Sequence, residues 1–305
     1  MNRSQIAAAV SRVFAAESIP QSVAAELLDF HTTLIEYILQ ERRQGERGLN
    51  VLGICGPQGV GKTTLTQVLQ TVLQELAGLS VAVLSLDDLY LSSAERQRLA
   101  SEIQPLLRTR GVPGTHDVAL GIRTIEQLRS ARPGEQTRLP RFDKSLDEPW
   151  PLDQQPLFEG RADLVILEGW CVGAVPQNEQ ALLEPVNELE RVSDPQGLWR
   201  RYVNEQLGAP YQMLFGLIDR LLLLRAQRFE DIYAWRALQE QKLAARLKAA
   251  ALPAGSTRLM GDEELRRFIM HFERLTRHIL AEMPARADIV AELDASRRLF
   301  AVHMG

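Results

Sequence analysis

Cysteine is almost missing from this sequence of 305 residues. Its two cysteines, Cys55 and Cys171, lie far apart and outside any C-x-x-C or Cys/His spacing. A disulfide framework and a zinc site are therefore not expected, and a reducing, cytoplasmic compartment is. A dominant charge sign is lacking too. The formal net charge is −4 and the isoelectric point is near 5.8, without the concentrated Lys and Arg that a nucleic-acid or anionic-membrane surface needs. No stretch approaches the roughly 18 uncharged apolar residues required to span a bilayer. The N-terminal run "MNRSQIAAAVSRVFAAE" is broken by Arg12 and reads as an amphipathic helix rather than an export signal. Internal repeats and low-complexity tails are absent. Lysine is scarce beside arginine, which makes Lys62 and Lys144 stand out.

What is present is a 45% hydrophobic composition, ample for the core of one large α/β domain or two small ones. Residues up to about Gln44 read as two amphipathic helices split by "SIPQS", and "RRQGERG" forms a polar joint after them. This suggests an N-terminal helical extension over residues 1–48 and a main domain over 49–305. From Asn50 onward, short apolar runs alternate with helical stretches: "VLGIC", "VAVLSL", "DLVILE", "RLLLLR" and "DIVAEL". Strands this continuously apolar are buried on both faces, so the expected fold is a parallel sheet flanked by helices. Residues 108–156 are rich in Pro, Gly, Asp and Arg, and loops of that length inside a domain usually bind something. The chain from Glu179 is mostly helical, with a long charged helix starting at Phe229.

Directly after the first predicted strand stands Gly56-Pro57-Gln58-Gly59-Val60-Gly61-Lys62-Thr63-Thr64, which fits G-x-x-x-x-G-K-[ST] ahead of a helix. Glycines let the backbone bend round a polyphosphate, and successive amides plus the helix N-terminus offer it partial positive charge. Lys62 is placed to reach the β- and γ-phosphates, and Thr63 to offer its hydroxyl to Mg²⁺. The bland reading, a Gly-rich turn with a chance lysine, does not explain the strand before it and the helix after it. Neither the N-K-x-D of guanine binders nor L-S-G-G-Q occurs, which leaves ATP as the expected nucleotide.

Two acidic strand ends complete the pattern. Asp87 and Asp88 follow "VAVLSL", and Glu168 ends "DLVILE". Carboxyl ends of parallel strands share one edge of the sheet, so these acids should gather at the phosphate loop. There an acid can hold Mg²⁺ or accept a proton from an attacking hydroxyl. Asp87 or Asp88 could equally cap the next helix, but Ser92 and Glu95 already supply a capping box.

Together "GPQGVGKTT", "LSLDDLYL", "RGVPGTHD", "LPRFDKSLDEP", "ILEGWCVG", "WRALQEQKL" and "HFERLTR" resemble the plant-type D-glycerate 3-kinase group and its bacterial and yeast kinase-like relatives. That group sits among the P-loop kinases that include phosphoribulokinase, uridine kinase and pantothenate kinase. The resemblance runs from about Leu52 to Leu299. It implies a doubly wound P-loop NTPase fold with a helical lid. It also implies ATP-dependent phosphorylation of a small hydroxyl-bearing metabolite, with D-glycerate the best-known acceptor. By position, Asp87 matches the acid taken as the base near the acceptor hydroxyl, with Asp88 as the alternative, and Glu168 matches the Mg²⁺-linked acid. "LRAQRFED" departs from the family pattern, which affects the shape of the lid more than the chemistry.

A hydroxy acid calls for an arginine fork together with Asp or His hydrogen bonds. Arg110, His116 and Asp117 in one irregular segment, and Arg141, Asp143 and Lys144 in the other, are the substrate-binding candidates. Each has a plainer alternative: His116 as a loop brace, Asp117 as a helix cap, Arg141 and Lys144 as solvated charge. Arg225, Arg228 and Arg236 are candidates for a lid arginine, with Arg236 taken as the catalytic one. Arg274 and Arg277 in "HFERLTRHIL" are weighed between bracing a nucleotide and structure, and Cys171 is read as a buried small residue. The competing functions are a kinase for pantothenate, a nucleoside or a sugar phosphate, and an ATPase switch acting on a protein partner. The sequence leaves the oligomeric state open.

Overall fold

Runs of Leu, Val and Ile without polar alternation have no face to leave in water and must be covered on both sides. In the computed structural model, which describes residues 2–43, 49–249 and 261–305, they form strands β1 (Val51–Cys55), β2 (Val81–Ser85), β3 (Leu164–Gly169), β4 (Arg220–Ala226) and β5 (Ile289–Leu293). These five lie parallel in the order β2-β3-β1-β4-β5. A further strand, β6 (Leu299–Met304), pairs antiparallel with β5 at the edge.

The helices are α1 (Arg3–Ala16), α2 (Gln21–Glu26), α3 (Leu28–Arg42), α4 (Lys62–Ala77), α5 (Ser93–Glu102), α6 (Val118–Ser130), α7 (Glu188–Ser193), α8 (Leu198–Gly208), α9 (Pro210–Phe215), α10 (Phe229–Ala249) and α11 (Asp262–Glu282). Strand periodicity divides the core between them. Leu52 and Ile54 of β1 face a cluster that includes Val68, Leu69 and Val72 of α4. Val51 and Cys55, pointing the other way, join Ile125 of α6, Leu214 of α9 and Leu275 of α11. The expected doubly wound sheet is thus present.

The N-terminal region holds three helices where the sequence suggests two, because the second is interrupted at Leu27 (φ −91, ψ −2). Ile6, Val10 and Phe14 of α1 and Leu34, Ile35 and Ile38 of α3 pack into the same cluster as α4. The polar joint at 44–48, and with it the expected boundary at 48, lies outside the described residues.

The 108–156 segment carries more structure than expected. It contains α6, one short antiparallel ribbon pairing Phe142–Asp143 with Glu148–Pro149, and a strand, Gln136–Arg138, that pairs antiparallel with Leu157–Glu159 just beyond it. Arg274 of α11 is structural: it donates to both carboxylate oxygens of the fully buried Glu190 on α7 (2.7 Å each). It also donates to the Ala181 and Glu184 carbonyls. Arg277 pairs with Glu273 and Glu230 and lies over the Phe229 ring. Among the described residues no helix is long and apolar enough to cross a membrane.

Candidate active site

The order β2-β3-β1-β4-β5 puts the ends of β1, β2 and β3 side by side, the edge at which open α/β sheets bind ligands. The loop after β1 needs its glycines for different reasons. A Cβ on Gly56 would lie 3.0 Å from side-chain carbons of both Leu224 and Val60, while Gly59 and Gly61 adopt φ +77 and +107. Such turns aim consecutive amides at one point, and Gly61 is the N-cap of α4, so the amides and the helix terminus converge. Lys62 Nζ donates to the carbonyls of Gly56 (2.8 Å) and Pro57 (3.2 Å), folding its ammonium over the loop. Thr63 is exposed, and Thr64 beside it half-buried.

Two further groups brace this loop. The position of a Cβ on Gly59 lies 3.2 Å from Trp235 Cβ on α10, and Trp235 Nε1 donates to Ala295 O (2.7 Å) in the β5–β6 turn. From that turn Arg297 donates to Gly59 O (3.3 Å). Arg297 escaped sequence reasoning. Its positive φ of 62 leaves no mark in a string of residue types.

Glu168 is buried near the end of β3, in register with Ser85 of β2 and Ile54 of β1. Ser85 Oγ donates to Glu168 Oε1 (2.5 Å) and accepts from the Asp87 amide (3.3 Å), capping the tight turn Leu86–Leu89. That turn separates the two aspartates. Asp87 accepts Lys144 Nζ on one oxygen (2.7 Å) and Tyr90 Oη on the other (2.6 Å). Burial works to raise its pKa, but Lys144, the Tyr90 hydroxyl and the Lys62 charge outweigh it and hold the carboxyl well below the usual range. Asp88 accepts the Phe142 amide (3.1 Å) and Arg141 Nη1 (3.3 Å), fastening the ribbon that starts at Phe142 to the sheet edge. Burial raises its pKa, with Arg141 opposing.

The loop 110–117 is held from below. Trp170 Nε1 donates to Gly111 O (2.8 Å), and the Gly114 amide donates to the Tyr211 hydroxyl (3.0 Å). That hydroxyl lies 2.5 Å from His116 Nδ1, and Tyr90 stacks on the imidazole at 4.7 Å. Burial pushes the His116 pKa down to about 3 despite the nearby Asp87, so the ring is neutral. Its Nε2 has no partner among the described residues. Arg110 pairs with Asp147 and lies over the rings of Tyr90 and Phe142. Asp117 is the N-cap of α6, accepting from Leu120 N (2.8 Å). Asp143 accepts from Ser145 and Leu146 and shapes the turn next to Lys144. Of the six acceptor-site candidates, Arg110, His116, Arg141 and Lys144 therefore gather round Asp87, Tyr90 and Asp88, whereas Asp117 and Asp143 serve their local turns.

The lid arginines do not share one helix. Arg225 belongs to β4 and pairs across to Glu292 of β5 (2.9 Å), because the strand continues to Ala226. Arg228 precedes α10 and pairs with Asp231 (2.9 Å). Arg236 is on α10, partly buried, next to the Trp235 that meets the phosphate loop. Cys55 and Cys171 are both buried, and burial pushes the Cys55 thiol up to about 12. Tyr90, Asp147 and Arg96 are site neighbours that sequence reasoning missed; only Tyr90 carried a signal, as the end of "DDLY".

No family model matches the chain. It is 36% identical over 231 residues to the uncharacterized kinase mug58 of Schizosaccharomyces pombe, covering 73% of this chain and 78% of that protein. It is 31% identical over 235 residues to the chloroplastic D-glycerate 3-kinase of Arabidopsis thaliana, covering 73% of this chain and 46% of the plant protein, so it spans less than half that relative's length. The D-glycerate 3-kinase structure from Cryptococcus neoformans superposes with a TM-score of 0.73 at 24% identity, over 90% of this chain and 99% of that one, and shows the shared fold. With its phosphate loop, its acidic strand ends and its relatives in agreement, the chain belongs to the P-loop kinase family that includes these proteins, and it is an ATP-dependent kinase acting on an alcohol group of a small molecule.

Proposed function

We propose that the acceptor is a small hydroxy acid, with D-glycerate favoured, and that Asp87 takes the proton from its hydroxyl. The observation that carries this reading is the placement of Asp87: ionised, held by Lys144 and Tyr90, and within the field of Lys62 at the phosphate loop. The acceptor oxygen attacks the γ-phosphorus as Asp87 accepts its proton. A new O–P bond forms, the bond to the β,γ-bridging oxygen breaks, and ADP leaves with that electron pair. Amides between Gln58 and Thr64 and the Lys62 ammonium balance the phosphate charge. Arg236 on α10 adds positive charge from the lid side.

Among the described residues no three His, Cys, Asp or Glu side chains gather to hold a metal by themselves. This fits Mg²⁺, which is usually held by one or two protein groups together with phosphates and water. The exposed Thr63 hydroxyl and the Glu168 carboxylate at the neighbouring strand end suit that role. Bound there, Mg²⁺ would neutralise developing phosphate charge.

The acid acceptor is supported by the plant relative's name and by the basic groups round Asp87. An ATPase switch would have no use for such a basic cluster, and a sugar phosphate would need more basic residues than it offers. The test is ADP release with ATP and Mg²⁺ across hydroxy acids, nucleosides, pantothenate and sugar phosphates. Turnover should stay near zero until an acid is added, with D-glycerate giving the highest kcat/KM. Asp87→Asn should lower kcat by about 10²-fold or more while ATP binding persists. Wild-type turnover in that variant would remove Asp87 as the base.

A further inference from the structure

The ion pairs round the proposed acceptor site are unevenly shared. Lys144 is matched by Asp87, and Arg141 by Asp88. Asp147, by contrast, faces two arginines: its Oδ2 forms an ion pair with Arg96 Nη2 (2.7 Å), which donates to its main-chain carbonyl, and its Oδ1 accepts Arg110 Nη1. Glu148, the next acid along, accepts from the Ser93 amide and pairs with no arginine among the described residues. Asp147 is thus shared between two arginines, and the Arg110 charge beside Tyr90 has no carboxylate to itself.

That charge is also aimed. Arg96 is buried and anchored by the carbonyls of Leu91 (3.1 Å) and Arg108 (2.7 Å), so it fixes Asp147 from behind. Asp147 adopts a left-handed backbone (φ 60), uncommon for a residue with a side chain, and this turns its carboxylate toward both arginines. Arg110 is then held by one Nη and steered by two ring faces, its Cζ lying 6.0 Å from the Tyr90 centroid and 5.6 Å from that of Phe142. Its Nε and second Nη have no protein partner among the described residues. Tyr90 connects this to the chemistry, since its hydroxyl donates to Asp87 while its face lies against Arg110. Tyr90 thus bridges the proposed base and the unfilled guanidinium edge, a group for a hydroxyl and a group for a carboxylate.

We infer that Arg110 binds the acceptor's carboxylate, and that Asp147, backed by Arg96, is a positioning residue that sets the pocket's preference for acids over neutral alcohols. This rests on the reading of Asp87 as the base. Planar guanidinium is the group that suits a carboxylate, which explains why a lysine would serve less well.

The test compares D-glycerate with its uncharged amide, glyceramide, in wild type, Arg110→Gln, Asp147→Asn and Asp147→Glu. Arg110→Gln should raise the KM for D-glycerate by about 10- to 100-fold, with kcat and the KM for ATP within about twofold. The acid-to-amide ratio of kcat/KM should fall toward one. Asp147→Asn should move the same parameters in the same direction by a smaller factor, and Asp147→Glu should restore part of the loss. If Asp147→Asn fails to fold because Arg96 has lost its partner, Arg110→Gln still decides, since it leaves the Arg96–Asp147 pair in place. A D-glycerate KM unchanged in Arg110→Gln, or an acid-to-amide ratio that survives it, overturns the inference. If the wild type uses another hydroxy acid, the D-glycerate assignment fails, while the same comparison on that acid still tests Arg110. A wild type that phosphorylates only neutral alcohols overturns both.

Discussion

Replacing Lys144 by Met should shift the acid side of the pH–rate profile upward. Asp87 must be ionised to accept a proton, and its pKa lies below the ordinary aspartate value because Lys144, Tyr90 and Lys62 favour the charged form against burial. The wild type should therefore show no Asp87-dependent loss of kcat/KM above about pH 4. Lys144 Nζ is 2.7 Å from Oδ2, but its side chain is 58% exposed and that of Asp87 34% exposed. Solvent screening reduces the bare attraction to about 1 kcal/mol, or somewhat under one pH unit. With Lys144 gone, burial and the neighbouring Asp88 meet less opposition, so the acid limb should move up toward the ordinary aspartate range of about pH 4. The sign for stability follows from the same linkage. A carboxyl whose native pKa is depressed stabilises the fold above its unfolded value of about 3.9, and that contribution is lost as pH falls through the native pKa. Lys144→Met should accordingly lower Tm at pH 7 by a few degrees, with the gap closing in strong acid. The assay is kcat/KM for the acceptor from pH 4 to 9, with Tyr90→Phe, which removes a weaker hydrogen bond, as a smaller shift of the same sign. An acid limb that stays put in Lys144→Met refutes the account of Asp87.

Three other outcomes are expected. Gly59→Ala forces a Cβ into φ +77 and against Trp235, so strain of about 1–2 kcal/mol should weaken the ADP-induced rise in Tm. Arg274→Met strands the fully buried Glu190 and should cost about 3–5 kcal/mol in denaturant unfolding, most of which is recovered when Glu190→Leu is added. Cys55 and Cys171 should react with a thiol reagent at pH 8 only after unfolding, because burial both shields them and raises their pKa values.

The five parallel strands were legible because burial on both faces leaves an unbroken apolar run. The edge strand β6 was not: it alternates, with Phe300 and Val302 exposed, and it follows a turn that depends on Asp294 accepting from Ser296 and Arg298. Lys62, Asp87 and Glu168 could be placed in advance because a parallel sheet brings its strand ends to one edge. Arg225 was grouped with the lid arginines although it lies in β4, where its side chain pairs across to the next strand, a partner that residue type does not reveal. Asp147 lay beyond sequence reasoning altogether. Its importance comes from partners 51 and 37 residues away and from a backbone conformation that residue type alone does not reveal for an aspartate.

A Cβ on Gly59 would meet Trp235 at its main chain as well as at its ring-bearing carbon, so the phosphate loop and α10 run in close approach with no room for a side chain between them. Such a contact works like a hinge pin: the segment bearing Arg236 has no freedom to swing that the nucleotide cradle does not feel. Exchange of spent ADP for fresh ATP and displacement of α10 should then be a single kinetic event, and loosening the tryptophan would quicken turnover of nucleotide before it altered anything about the acceptor.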